Sequence, residues 1–137
     1  MRANVLSVFV LGAIAATAGC RALPEPVCQS RLLAPIVARS GPHQATVGQL
    51  LTYGLDVKLG NSCGAFDSVV VSRSDNTTGP FTQQVGVQGL YNGCSCVPDT
   101  LTVTRVNYQF RPTRAGTYYL KFLTRQSRFF TDTLTVR

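Results

Sequence analysis

Groups that carry out chemistry are scarce in this sequence. It has no tryptophan, one histidine (His43) and only 6 acidic residues among 137. The acids are scattered and the histidine stands alone, so no set of residues supports general acid–base or nucleophilic catalysis. We therefore expect a protein that is not an enzyme and that uses no cofactor.

The length and the apolar content fit one folded domain. Glycine (12 residues) and proline (7 residues) are too sparse for a collagenous or low-complexity chain. Hydrophobic residues make up 45% of the chain and charged residues 14%, which is enough apolar surface to form a core. A chain of 137 residues is too short for a two-layer dinucleotide-binding enzyme.

The charge is strongly basic. The sequence has 13 Lys and Arg residues against 6 Asp and Glu residues, a formal net charge of +7. Five of the arginines are spread over the predicted strands and loops: Arg105, Arg111, Arg114, Arg125 and Arg128. Because no aromatic-interleaved basic groove accompanies them, we expect a solvated basic surface with weak attraction to anionic polymers, and no nucleic-acid partner.

The amino-terminal segment has the features of a secretory signal. Arg2 gives a positive start, and residues 5–18 are uncharged and mostly apolar or small. This run is shorter than the roughly 20 residues that a membrane-spanning helix needs. We expect residues 1–19 to be a signal peptide, residues 20–39 a tether leading into the first strand, and residues 40–137 the folded domain.

Two processing routes are open at the end of this signal. Residues 16–18 (ATA) form an A-x-A pattern, which predicts cleavage after Ala18. Residues 17–20 (TAGC) resemble the lipobox of bacterial lipoproteins at Ala18, Gly19 and Cys20, with Thr17 where that family usually has leucine. The resemblance implies that Cys20 is lipidated and becomes the first residue. Cysteine parity favours this route, since it leaves four cysteines that can pair completely.

The rest of the sequence alternates with the period of a half-buried strand. Leu51, Tyr53, Leu55 and Val57 alternate with polar residues or glycine, and similar runs recur between turn-forming residues. This pattern predicts an all-β sandwich of seven antiparallel strands. We place strand A near residues 33–39, B at 49–59, C at 66–74, D at 81–90, E at 101–111, F at 117–124 and G at 129–137.

Residues 110–118 (FRPTRAGTY) resemble the corner between strands E and F of immunoglobulin-like domains. In that family a Gly-x-Tyr sequence places a tyrosine at the start of strand F, and its hydroxyl group bonds back to the turn. Gly116 and Tyr118 match this pattern. Leu120 stands where antibody-type domains have a cysteine, and strand C has no tryptophan. The chain therefore resembles the Ig-like modules of bacterial envelope lipoproteins, which implies binding rather than catalysis.

Alternating strand directions bring four cysteines to one end of the predicted sandwich. The segment before strand A, the B–C connection and the D–E connection emerge at the same end, and they carry Cys28, Cys63, Cys94 and Cys96. A bond between Cys94 and Cys96 would close a very tight loop. We expect Cys63 to pair with one of these two cysteines and Cys28 with the other.

The same end of the sandwich is expected to face a membrane. The F–G loop, with Arg125 and Arg128, emerges there, and these arginines would meet anionic head groups. The chain from Cys20 to Cys28 reaches at most about 26 Å. The opposite end, with residues 75–80 and the E–F corner, is the better candidate for contact with a partner. Two exposed residues of strand F, Tyr119 and Leu123, either form part of an apolar contact patch or pack against the second sheet.

Two other chemical interpretations of the cysteine region are weighed against disulfides. Residues 60–64 (GNSCG) match the G-x-S-x-G pattern of serine hydrolases, but a strand rather than a helix is expected to follow them. Cys63, Cys94 and Cys96 are also candidates for a thiol-based metal or redox site. His43 falls at the opposite end of the predicted sandwich, so we expect no complete metal site.

Taken together, these features predict an exported lipoprotein anchored to a membrane of the bacterial cell envelope through lipid on Cys20. Its expected role is that of a non-catalytic binding or accessory module for a protein or polysaccharide partner. The thiol-based metal or redox protein is the alternative function, and the oligomeric state is left open.

Overall fold

The computed structural model describes residues 27–73 and 80–137, and this part of the chain is built of strands and turns. The strands are β1 (Gln29–Ala34), β2 (Ile36–Ser40), β3 (Gln44–Ala45), β4 (Leu51–Val57), β5 (Gly60–Asn61), β6 (Gly64–Arg73), β7 (Phe81–Asn92), β8 (Pro98–Asp99), β9 (Thr104–Phe110), β10 (Gly116–Leu123) and β11 (Phe129–Val136), and a 3-10 turn spans Arg125–Ser127. The all-β prediction is confirmed for these residues. The predicted signal peptide, Cys20 and most of the loop at residues 75–80 lie outside them.

Two sheets of unequal size form the layers. The small sheet has the order β2–β4–β9 and is antiparallel. The large sheet has the order β1–β7–β10–β11–β3, with β6 on the other edge of β7. Because β7 is 12 residues long, β10 and β1 lie end to end along one of its edges. The short strands β5 and β8 form a separate ribbon.

Alternate residues of both sheets point into one core. Residues of β4 such as Tyr53 and Leu55 are fully buried, and Leu120 and Phe122 of β10 face them from the large sheet. The Tyr53 ring lies 5.7 Å from that of Phe122, centre to centre, and 6.3 Å from that of Tyr108. Removal of this apolar surface from water is the main force that holds the two layers together.

Each of the seven predicted strands overlaps an observed one, but strand A is divided. Its first half, β1, begins at Gln29 rather than near Leu33 and pairs with β7 in the large sheet. Its second half, β2, pairs with β4 in the small sheet. Pro35 separates the halves, and since proline has no backbone N–H to donate, it marks the point where the ladder breaks and the chain changes sheets.

The prediction of purely antiparallel sheets is wrong at two pairings. β10 is parallel to β7, and β11 is parallel to β3. In the Ig-like order the fourth strand lies beside strand E, whereas here the fourth long strand, β7, lies between β6 and β10 of the other sheet. Strand directions alternate along the chain, so the fourth and sixth strands point the same way, and their pairing is parallel.

Three strands extend beyond the body of the sandwich. The pairing of β10 with β7 ends at Phe122 opposite Val85, while β7 continues to Asn92 between β1 and β6. At about 3.3 Å per residue, the part of β7 from Gly86 to Asn92 is roughly 20 Å long. The Tyr91 hydroxyl donates a 2.7 Å hydrogen bond to the Leu59 carbonyl and fastens its base. We call this extension, residues 28–33, 59–66 and 88–99, the cystine arm.

Candidate functional site

Two disulfide bonds close the tip of the cystine arm. Cys28 is bonded to Cys94 and Cys63 to Cys96, with Cα–Cα distances of 5.0 Å and 5.5 Å. The prediction of disulfides is confirmed, and this connectivity is one of the two that the sequence left open. The bonds join residues 66 and 33 positions apart, so they tie the start of β1 and the start of β6 to the segment after β7.

Gly93 lets the backbone after β7 pass close to the Cys63–Cys96 bond. Its φ of +137° lies in a region that side chains disfavour, and a Cβ there would lie 2.9 Å from the Cys63 sulfur. Its backbone N–H donates to the Cys28 carbonyl at 2.9 Å, which continues the β1–β7 ladder to the tip. The backbone at this glycine therefore fixes both cysteine pairs.

The glycine-rich turn before Cys63 is held by hydrogen bonds of its own. The Ser62 hydroxyl accepts from the Val97 N–H at 3.1 Å, and the Ser62 N–H donates to the Val97 carbonyl at 2.9 Å. Strand β6 begins at Gly64, so the motif is not the strand–turn–helix of a serine hydrolase. The His43 carbonyl accepts from the Thr135 N–H near the end of β11, which places this histidine at the other end of the sandwich.

A metal site at the tip would require reduced cysteines. Thiolates are the form of cysteine that binds metal, and the sulfurs of Cys63, Cys94 and Cys96 are all in disulfide bonds. Within residues 27–73 and 80–137, no group of three or more His, Cys, Asp or Glu side chains is arranged to hold a metal ion.

Tyr118 lies at the E–F turn and bonds back to it. Its hydroxyl donates to the Arg114 carbonyl at 3.0 Å and accepts from the Arg114 N–H at 3.2 Å. Gly116 has a φ of +138°, which the turn requires. The Tyr118 ring lies 4.7 Å from that of Phe81 and 5.5 Å from that of Phe110, so this corner closes one end of the core.

The structure does not bring Arg125 and Arg128 to the disulfides. Both are exposed in the β10–β11 connection. Arg125 lines a shallow groove of about 330 Å³ together with Leu33, Pro35 and Leu123. The connection emerges toward the same end as the cystine arm, as strand alternation predicts. The end of β7, however, lies roughly 20 Å further along, because β7 continues to Asn92, seven residues past its last pair with β10 at Val85.

An apolar cluster covers part of the large sheet on the face that points away from the core. A methyl group at Gly86 would lie 3.1 Å from Val70, 3.4 Å from Leu33 and 3.7 Å from Leu123. Phe129 is paired directly opposite Leu123 and lies on the same face. Leu33 is 54% exposed, and Val70 and Phe129 are each 39% exposed. We call these residues, Leu33, Val70, Leu123 and Phe129 around Gly86, the outer-face cluster.

Of the cluster, the sequence pattern singles out only Leu123, as a residue of either a contact patch or the packing. The one available signal was the run Val69–Val70–Val71, because three consecutive apolar residues in a strand place apolar groups on both faces. Val69 packs against the core, whereas Val70 points outward.

The four described Asp side chains all accept hydrogen bonds. Asp132 accepts from Arg39 at 2.9 Å, which joins the two sheets, and Asp56 accepts from Arg105 at 2.7 Å. The remaining two are Asp67, which accepts from Arg31 at 3.2 Å, and Asp99, whose carboxylate accepts from the N–H groups of Leu101 and Thr102. The same hydrogen bonds to Thr102 and Leu101 lower the pKa of Asp99.

No protein-family model, curated protein or solved structure matches this chain. In the part of the chain that the structure describes, no helix has the length and apolar character needed to cross a membrane.

Proposed function

We propose that this protein is an exported lipoprotein, held at a bacterial cell-envelope membrane by lipid on Cys20, whose β-sandwich is a non-catalytic binding or accessory module. We assign the sandwich to the Ig-like type by its tyrosine corner, with the fourth strand moved beside the sixth. The partner is a protein or polysaccharide.

The pairing of the cysteines is the observation that carries this proposal. The sequence has five cysteines, and the two disulfides use Cys28, Cys63, Cys94 and Cys96. Cys20 is left with no cysteine of the chain to bond with, which suits a residue whose sulfur carries lipid. Disulfides of this kind persist in oxidising compartments outside the cytosol.

The position of Cys28 also supports the anchor. This residue lies at the tip of the cystine arm, where the disulfide to Cys94 fixes the start of the folded chain. A chain from Cys20 to Cys28 spans at most about 26 Å. The tether would therefore join the membrane to a covalently closed part of the domain, which resists fraying.

Cell fractionation of the wild-type chain and Cys20→Ser in a bacterial host tests the anchor. We expect the wild-type chain in the detergent-extracted membrane fraction and Cys20→Ser in the soluble exported fraction. Thr17→Leu is the matched control, because it restores the usual lipobox residue and should stay with the membrane. Identical distributions of the wild-type chain and Cys20→Ser would contradict the proposal.

Thiol titration of the unreduced, exported protein tests the alternative function. Complete pairing predicts no reactive thiol. Reactive thiols together with a stoichiometric metal would instead favour the thiol-based metal or redox protein.

A further inference from the structure

The outer-face cluster is a continuous apolar surface assembled from five strands. Leu33 comes from β1, Val70 from β6, Leu123 from β10 and Phe129 from β11, and they surround Gly86 of β7. None of these side chains faces the core, because Val85 and Val87 on either side of Gly86 point inward and are buried. Apolar side chains that are exposed together on one face are typical of a surface that contacts another protein or a membrane.

The charge beside the cluster is positive. Lys121 lies on the same face, opposite Gln84 and Thr131, and Arg125 and Arg128 flank the cluster in the β10–β11 connection. Among the described residues, Asp67 is the carboxylate in the same strand as Val70, and it is paired with Arg31. The charges of the described residues on this side of the molecule therefore attract anions.

We propose that the outer-face cluster docks on an anionic lipid bilayer. Aliphatic and aromatic side chains beside Lys and Arg are the combination that binds at the boundary between head groups and acyl chains. Two copies of the chain meeting through this face would set Lys121, Arg125 and Arg128 of one copy against those of the other. The repulsion makes a second copy the poorer occupant.

The tether is long enough for the lipid on Cys20 and the outer-face cluster to reach the same membrane. This point rests on the proposed function, because it assumes that Cys20 is lipidated. Cys28 lies roughly 20 Å along β7 from the level of Gly86, and the chain from Cys20 reaches about 26 Å. Lipid on Cys20 and the cluster can then contact the same membrane surface. The sandwich lies with its large sheet on the bilayer, and the small sheet, β2–β4–β9, faces away toward partners.

Tryptophan fluorescence tests the docking because the natural chain has no tryptophan. Phe129→Trp places the probe in the cluster, and Val47→Trp places a control probe of similar exposure at the opposite end, where the Val47 N–H donates to the Arg137 carbonyl. The exported protein is mixed with vesicles of phosphatidylglycerol and brominated phosphatidylcholine. We expect the Phe129→Trp emission to shift to the blue and to be largely quenched, and the Val47→Trp emission to be unchanged.

Charge-removing variants in the Phe129→Trp background test the electrostatic part. Arg125→Gln with Arg128→Gln should shift the equilibrium about 30-fold toward the undocked state, which corresponds to about 2 kcal/mol. Arg111→Gln with Arg137→Gln removes the same charge at the other end of the sandwich and should leave the quenching intact. Equal effects of the two pairs would overturn the assigned orientation.

Three results would overturn the proposal itself, and none depends on the group that Cys20 carries. The first is no quenching of the Phe129→Trp emission on the anionic vesicles. The second is equal quenching at positions 129 and 47. The third is a blue-shifted Phe129→Trp emission without vesicles in a protein that elutes as a dimer, because a second copy would then cover the cluster. The fractionation of Cys20→Ser decides separately whether the lipid anchor exists.

Discussion

Two tyrosines in the core have hydroxyl groups that ionise with difficulty. Burial raises the pKa of Tyr53 to about 12, and the nearby carboxylate of Asp132 adds to the shift. Burial also raises the pKa of Tyr108 to about 12, although the positive charge of Arg73 lowers it in part. The Tyr53 hydroxyl donates a 2.7 Å hydrogen bond to the Pro42 carbonyl, so its neutral form is part of the folded structure.

These shifts predict a loss of stability at alkaline pH. An unfolded tyrosine has a pKa near 10, and a folded-state pKa of about 12 means that the fold favours the neutral hydroxyl. The stabilisation is fully present below about pH 10 and is lost as the pH rises through about 12. Urea denaturation at a series of pH values measures it.

A substitution distinguishes the ionisation of these tyrosines from other causes of lost stability at alkaline pH. Tyr108→Phe removes one of the hydroxyls whose pKa is raised by burial, so the fall in unfolding free energy above about pH 10 should become shallower. An unchanged slope in this variant would show that the alkaline loss has another origin.

The residues of the outer-face cluster differ in how far the sequence predicts their positions. Leu123 follows the buried Phe122 in a strand, so alternation alone predicts that it points away from the core. Leu33 and Val70 join it only because β1 and β6 both lie beside β7, a pairing that depends on tertiary structure. Gly86 fits beneath them because it has no side chain of its own.

At the scale of elements, the local sequence pattern predicted where the strands lie but not which strands pair with one another. The period of two in β4, β9 and β10 identifies those strands and their buried faces. The alternation of buried and exposed residues in a strand does not indicate which strand lies beside it, so it could not predict that β10 pairs with β7 rather than with β6. Predicted strand D covers ten of the twelve residues of β7 and stops at Leu90, two residues before the observed end at Asn92.

The two disulfides are expected to stabilise the fold unequally. Removing either one, by Cys28→Ser with Cys94→Ser or by Cys63→Ser with Cys96→Ser, should lower the free energy of unfolding by about 2–4 kcal/mol. The first bond spans 66 positions and the second 33, so the loss should be larger for the first by roughly 0.6 kcal/mol. Chemical denaturation of both double variants gives the two values.

Hydrogen exchange checks where the stabilisation acts. Loss of the Cys28–Cys94 bond should increase exchange of the Gly93 N–H, which donates to the Cys28 carbonyl, and leave β4 and β10 protected. Uniform deprotection of the whole sandwich would contradict the description of the cystine arm as an extension of an independent core.

At the scale of the whole molecule, the charges divide into pairs that hold the sandwich and cations that remain exposed. The Arg39–Asp132 pair joins the two sheets beside the Phe130 ring, over which Arg39 lies at 4.8 Å. Arg125 and Arg128 are exposed in the β10–β11 connection, close in sequence to Leu123 and Phe129 of the outer-face cluster. On the proposed docking, the large sheet is the membrane side of the molecule and the small sheet is the partner side.

Mass spectrometry of the mature amino terminus tests the central claim, that the exported chain is anchored through Cys20. The account predicts an amino-terminal peptide that begins at Cys20 and carries diacylglyceryl and acyl groups. An unmodified peptide that begins at Gly19, the product of cleavage after Ala18, or an intact Met1 start would contradict it.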